Sequence, residues 1–163
     1  MSKRGDFSLS FGMIFSIIIM IAIIAVSFYV IKSFVFTSKC AEAGLFYNDL
    51  EEYIDEAWQS TIHQDTFKGS LPDGIEQVCF GNLTTIAIPT SQTEFDSLSR
   101  SFINNRDRNV FILPIEKACD TSLASLKLSH VKIPKFFCLE VKKGQIELKT
   151  QKTQFESLVT LTN

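Results

Sequence analysis

"FGMIFSIIIMIAIIAVSFYVI", residues Phe11 to Ile31, contains no proline and one ionisable side chain, Tyr29. At a rise of about 1.5 Å per residue these roughly 21 residues make about 31 Å of helix, the thickness of a bilayer's hydrocarbon core. The stretch is therefore expected to span a membrane. A removable secretory signal has a shorter apolar core, about 7 to 15 residues, ending at small residues. Here the best candidate for such a site, Ala25 and Ser27, runs straight into Phe28, Tyr29, Val30 and Ile31, so the segment reads as a retained anchor.

The flanks set an orientation. Lys3 and Arg4 precede the span, and after Lys32 and Lys39 the chain turns acidic with Glu42, Asp49, Glu51, Glu52, Asp55 and Glu56. Positive charge beside a span favours the cytoplasm. The expected topology is a cytoplasmic N-terminus, a plasma-membrane helix at about 11–31 and an extracytoplasmic body. All four cysteines, Cys40, Cys79, Cys119 and Cys138, follow the span, an even number in the part facing an oxidising compartment. Four cysteines allow three pairings, and near-neighbour pairing, Cys40 with Cys79 and Cys119 with Cys138, is the one expected. Free core thiols are the plainer alternative. A zinc site lacks the close Cys-x-x-Cys spacing such sites use.

Beyond the span, Phe46, Leu50, Ile54, Ala57 and Trp58 recur at helical steps, with the acidic residues mostly on the other face. One long helix over 6–60 is expected, apolar first and then amphipathic. "LPDG" at Leu71 to Gly74 is a turn signal. After it, "IEQVCF" and "TTIAIP" read as strands, and Ser91 with Glu94 forms a capping-box pattern ahead of a short helix carrying Phe95, Leu98 and Phe102. "NVFILPIE" reads as a strand that must lie at an edge or bend at Pro114. "FFCLEVKKGQIELKT" reads as a hairpin turning at Lys142 to Gln145, and "ESLVTL" as a last strand. Residues 120–134 carry no clear pattern. The fold class is α+β: a long N-terminal transmembrane and amphipathic helix, then a small antiparallel β-rich head over 61–163.

The first six residues bear on function. Lys3, Arg4 and Gly5, then Asp6 and a long apolar helix, resemble the class III signal peptide of archaeal type IV pilin-like proteins. The resemblance covers about the first thirty residues. It implies cleavage by a prepilin peptidase between Gly5 and Asp6, leaving a leader of residues 1–5. It also implies a helix that serves as membrane anchor and then as filament core, with copies of the chain or related subunits as partners. Two positions depart from the family pattern: Ser10 stands where many pilins carry glutamate, and Asp6 where archaeal sequences commonly have glutamine. Ser8, Gly12 and Ser16, four apart, would let helix backbones approach closely in lipid.

Chemistry is sparse. His63 falls where the long helix should end and His130 in the unpatterned segment, and both read as surface or dipole partners, outside any nucleophile, acid–base or metal motif. Neither catalytic nor metal residues are assigned, and no cofactor is expected. Arg4-Gly5-Asp6 spells an adhesion tripeptide but faces the cytoplasm or is cut on this topology. Asn82-Leu83-Thr84 is an N-glycosylation sequon in the head. The acidic run Glu51, Glu52, Asp55 and Glu56 reads as a solvated helix face. A net charge of -2 argues against nucleic acid as a partner, and the lipid bilayer is the partner the composition favours. The classes that remain are a pilin-like structural subunit, a permanently anchored single-span protein whose head is a binding module, and, as the weakest, an envelope enzyme.

Overall fold

The computed structural model describes residues 11–84, 91–120 and 122–163. It is α+β: helix α1, Phe11–Gln59, precedes a small β-rich region. The chain divides between Thr37 and Ser38 into two units.

In the first unit every described side chain from Gly12 to Thr37 is exposed, and the helix is long and apolar enough to cross a membrane. Three of its hydroxyls turn back on their own helix. Ser16 Oγ donates to the Met13 carbonyl (3.3 Å), Ser27 Oγ to Ile23 (2.8 Å) and Thr37 Oγ1 to Ser33 (3.0 Å). Lipid offers no partner to a hydroxyl, so this back-bonding makes these three residues compatible with a hydrocarbon environment.

In the second unit α1 buries Ala43, Phe46, Tyr47, Leu50, Ile54 and Ala57, one face at helical spacing, as the sequence pattern predicts for Phe46, Leu50, Ile54 and Ala57, whereas Trp58, expected on the same face, is exposed. Two four-stranded sheets complete the unit. One runs β1–β7–β8–β5, with β1 His63–Ser70, β7 Gln145–Lys152, β8 Val159–Thr162 and β5 Val131–Lys132. The other runs β4–β3–β2–β6, with β4 Ser125–Leu126, β3 Val110–Leu113, β2 Gln77–Phe80 and β6 Phe137–Glu140. Pairing is antiparallel except between β5 and β8. Strand β7 alternates strictly, burying Ile146, Leu148, Thr150 and Lys152 while the residues between them face out.

Several expectations need correcting. The hairpin over residues 136–150 is not one. A tight turn does form, with Lys143 and Gly144 at positive φ and Lys142 bridged to Gln145, but β6 and β7 belong to different sheets. Val141 N–H donates to the Glu76 carbonyl (2.8 Å), which holds the incoming strand on β2, while Leu71 N–H donates to the Gly144 carbonyl (2.8 Å), which ties the turn to the end of β1. Ser91 precedes helix α2, Gln92–Ser101, but its side chain makes no capping bond. Its carbonyl accepts from Phe95 N–H instead. Of the two outcomes expected at Pro114, the bend is the one found: after β3 the chain turns into a 3-10 segment, Ile115–Lys117, at the cis Leu113–Pro114 bond, with β3 itself flanked by β2 and β4. The unpatterned segment holds the short β4 and β5, with Asn109 as clamp: its amide donates to the Leu128 carbonyl (2.8 Å) and accepts from Leu128 N–H (2.7 Å). Most of "TTIAIP" lies outside the described residues.

The C-terminal end of α1 has no basic residue in its last turn. Lys152 supplies one from β7, its Nζ donating to the Trp58 carbonyl and to the Ser60 carbonyl (2.7 Å). A buried ammonium placed on terminal carbonyls satisfies acceptors that the helix itself cannot, and it opposes the negative end of the helix dipole. Lys152→Met is expected to cost about 2 kcal/mol, the range for hydrogen bonds to a charged group. Chemical denaturation of the full chain in detergent checks this, with Trp58 as the one tryptophan reporting the transition. An unchanged midpoint would remove Lys152 from the account.

Candidate functional site

The features with functional meaning are the apolar helix segment, the covalent ties of the head and the polar clusters around α1. Gly12 and Ser16 lie exposed on the apolar segment; Ser8 of the same stripe and the expected cleavage residues Gly5 and Asp6 lie outside the described residues.

The disulfides join Cys40 to Cys119 and Cys79 to Cys138, which corrects the near-neighbour pairing. The reason is topological. Cys79 and Cys138 sit directly opposite each other on β2 and β6. Cys40, on α1, meets the turn after the 3-10 segment, where Cys119 adopts a positive φ. Interleaved in this way, one bridge fastens the helix to the loop and the other fastens two strands that are distant in sequence. Two disulfides in the unit that follows a helix long and apolar enough to cross a membrane are consistent with folding in an oxidising compartment.

Neither histidine is a simple surface residue. His63 opens β1, where its Nε2 lies 3.1 Å from both Tyr53 Oη and Thr150 Oγ1, and those two oxygens are 3.0 Å apart. Thr150 Oγ1 also donates to the Asp65 carbonyl (3.1 Å). Burial pushes the Tyr53 phenol above its ordinary value, the Thr150 hydrogen bond opposes the shift, and the Asp65 charge adds to it. The cluster ties α1, β1 and β7 together. His130, at positive φ, stacks flat on Trp58 with ring centroids 3.8 Å apart and places Nδ1 3.1 Å from Asp55 Oδ1. Trp58 Nε1 in turn donates to the Ser157 carbonyl (2.9 Å). Sequence spacing carries no signal for either cluster, because the partners lie 10 to 99 positions apart.

Tyr47 donates its hydroxyl to the Leu123 carbonyl (2.8 Å), and burial raises its phenol well above the ordinary value of 10.0, with Arg108 opposing weakly. The folded state then holds this proton where the unfolded chain releases it. The contribution to stability is whole below pH 10 and falls as pH rises toward the folded-state value. Alkaline unfolding should therefore steepen above about pH 10, and Tyr47→Phe should flatten that slope while losing the Leu123 bond. Equilibrium unfolding of both proteins between pH 8 and 11.5 checks this; equal slopes would contradict it.

Asn82 is exposed, and its Oδ1 accepts from both Thr84 N–H (2.9 Å) and Thr84 Oγ1 (2.7 Å), so the sequon is folded as an Asx turn. The acidic residues Glu51, Glu52, Asp55 and Glu56 are exposed, and among the described residues no group of three or more metal-ligating side chains converges.

Compared with protein families, with curated proteins and with solved structures, the chain finds no match.

Proposed function

We propose that this chain is a pilin-like structural subunit: a non-enzymatic protein held in the plasma membrane by its N-terminal helix, with the head outside, and assembled through that helix into a surface filament. The observation that carries the reading is the helix itself. Twenty-odd apolar side chains with no protein partner continue, within one helix, into the face on which the head's core is built. Such a segment is stored in lipid and can exchange lipid for copies of itself, because helices in a membrane associate through packing rather than through hydrophobicity. The leader Lys3-Arg4-Gly5 ahead of Asp6 supports processing by a prepilin peptidase on the cytoplasmic side. Gly12 and Ser16 supply small residues for close helix approach, and Asn82 is the place for a glycan on the exposed head.

A second reading, a permanent single-span anchor with a binding head, draws on Ser10, which stands where many pilins carry an acid. Shearing native cells and imaging the released fraction separates the two. The pilin reading expects filaments containing this chain, and expects Gly12→Leu to reduce them. A chain found solely in the membrane fraction would leave the anchor.

A further inference from the structure

The turn Leu71 to Gly74, between β1 and β2, holds a reactive peptide step. Asp73–Gly74 is the one Asp-Gly step in the sequence, which has no Asn-Gly step. Both residues are exposed, and Gly74 adopts a positive φ of 97°. At such a step a main-chain nitrogen reaches the preceding carboxyl with the least obstruction, because glycine has no Cβ to crowd the ring that forms. The nearest atoms to a Cβ placed on Gly74 belong to the Lys117 side chain, at 3.6 and 3.8 Å, so the turn is open there. Leu71 N–H donates to the Gly144 carbonyl (2.8 Å) and Ile75 N–H to the Pro72 carbonyl (3.4 Å), whereas Gly74 N–H donates to no acceptor among the described residues.

Lys39 sets this turn apart from an ordinary one. Its Nζ donates to the main-chain carbonyl of Asp73 (3.1 Å), 34 positions away, and the Cys40–Cys119 bridge fixes the residue beside it. Lys39 makes no ion pair among the described residues. The carbonyl it holds and the Gly74 N–H are the two ends of one resonant amide. A cation at the oxygen draws electron density from the nitrogen and eases the loss of its proton. It also stands where negative charge develops if that carbonyl is attacked.

We infer that Asp73–Gly74 is a site of spontaneous backbone modification, where aspartate converts to isoaspartate through a cyclic imide under the direction of Lys39. In the first step the Gly74 nitrogen loses its proton and bonds to the side-chain carboxyl carbon of Asp73. The carboxyl's hydroxyl departs with that proton as one molecule of water. In the second step water adds to one of the two ring carbonyl carbons, and the bond from that carbon to nitrogen breaks. Attack at the side-chain carbon restores aspartate. Attack at the main-chain carbon leaves the chain running through the side chain, with a free carboxylate where the peptide carbonyl stood. Lys39 sits on the oxygen of that main-chain carbonyl, so it favours the second opening and stabilises the oxyanion it passes through. The ammonium then ends beside a carboxylate, a stronger acceptor than the carbonyl it replaces. One water leaves and one returns, with no oxidant or cofactor, and the inference stands apart from the filament reading.

The test incubates the full chain, folded in detergent and separately in denaturant, at mildly acidic pH. Electron-transfer fragmentation of the peptide containing position 73 separates isoaspartyl from aspartyl forms of equal mass. Expected in the folded parent are a transient species lighter by one water and a growing isoaspartyl form, in a larger share than the denatured chain gives. Asp65, followed by Thr66 within β1, should stay unconverted. Lys39→Gln should slow the folded conversion about tenfold, as loss of a charged hydrogen bond to a reacting oxygen does, and return the isoaspartyl share to that of the denatured chain. Lys39→Arg should restore both. An intact Asp73 in the folded parent, under conditions where the denatured chain converts, would overturn the proposal. So would equal rates and equal shares in the parent and Lys39→Gln. If Lys39→Gln does not fold, the parent decides alone, and equal isoaspartyl shares in its folded and denatured forms would overturn the role of Lys39.

Discussion

Replacing Cys40 and Cys119 together by serine is expected to lower the stability of the head by about 4 kcal/mol, the chain-entropy value for a loop of this length. The bridge spans 79 positions and joins the helix that carries the core face to a loop with little secondary structure of its own. Without it the unfolded chain regains much of its freedom, and the folded chain loses a covalent tie that works beside the Tyr47–Leu123 bond in holding that loop on α1. Domains of this size are stable by roughly 5 to 15 kcal/mol, so the double variant should unfold in a range of denaturant where the parent is intact. Non-reducing peptide mapping supplies the independent check. It should recover the Cys40 peptide joined to that of Cys119, and the Cys79 peptide joined to that of Cys138. Recovery of Cys40 joined to Cys79 would contradict the arrangement of the head.

Phe46→Ala should cost about 3 to 5 kcal/mol, the range for deleting a buried phenylalanine. Its ring is fully buried between α1 and β1 and lies so close to Gly69 that a Cβ added there would sit 2.5 Å from it. Gly69 is thus a packing glycine: it sits next to the last pair of the β1–β7 ladder, opposite Ile146, where a side chain would ordinarily favour the strand. The two sites are coupled. Gly69→Ala should be strongly destabilising in the parent and less so in Phe46→Ala, where part of the clash is gone, although Phe67 at 2.7 Å still limits the relief. A double-mutant cycle reads the coupling directly. Additive effects would mean that β1 does not pack on α1 through this pair.

The parts of the fold that were legible in the sequence are those set by local period. The apolar run from Phe11 and the stripe Phe46, Leu50, Ile54 and Ala57 carry the helical repeat, and Ile146 with Leu148 carries the strand repeat, because each residue's face depends only on its neighbours along the chain. What depended on distant partners was misread. The turn at Lys143 and Gly144 has hairpin chemistry, but the choice of partner strand belongs to Glu76 and Cys79, some sixty positions away. The cysteine pairing followed the same long-range topology. His63 was read as a helix-end residue because β1 begins only four residues after Gln59, within a helical pattern that gives no sign of the change. Lys152 carries no local mark in the sequence, and only its contacts with the Trp58 and Ser60 carbonyls make it a cap. At the N-terminus the reverse holds: the proposed processing signature rests on the letters Lys3 to Asp6 alone and can be tested without reference to the fold.

That signature gives the most direct test of the pilin-like reading. The mass of the protein purified from its native membrane or surface fraction, with sequencing of its N-terminal peptide, decides whether the chain begins at Asp6. The account predicts a mature N-terminus at Asp6, with Met1 to Gly5 removed and the apolar helix retained. A chain that still begins at Met1 or Ser2 where the prepilin peptidase is active would contradict it, and would leave Lys3 and Arg4 as topology signals of a permanently anchored protein.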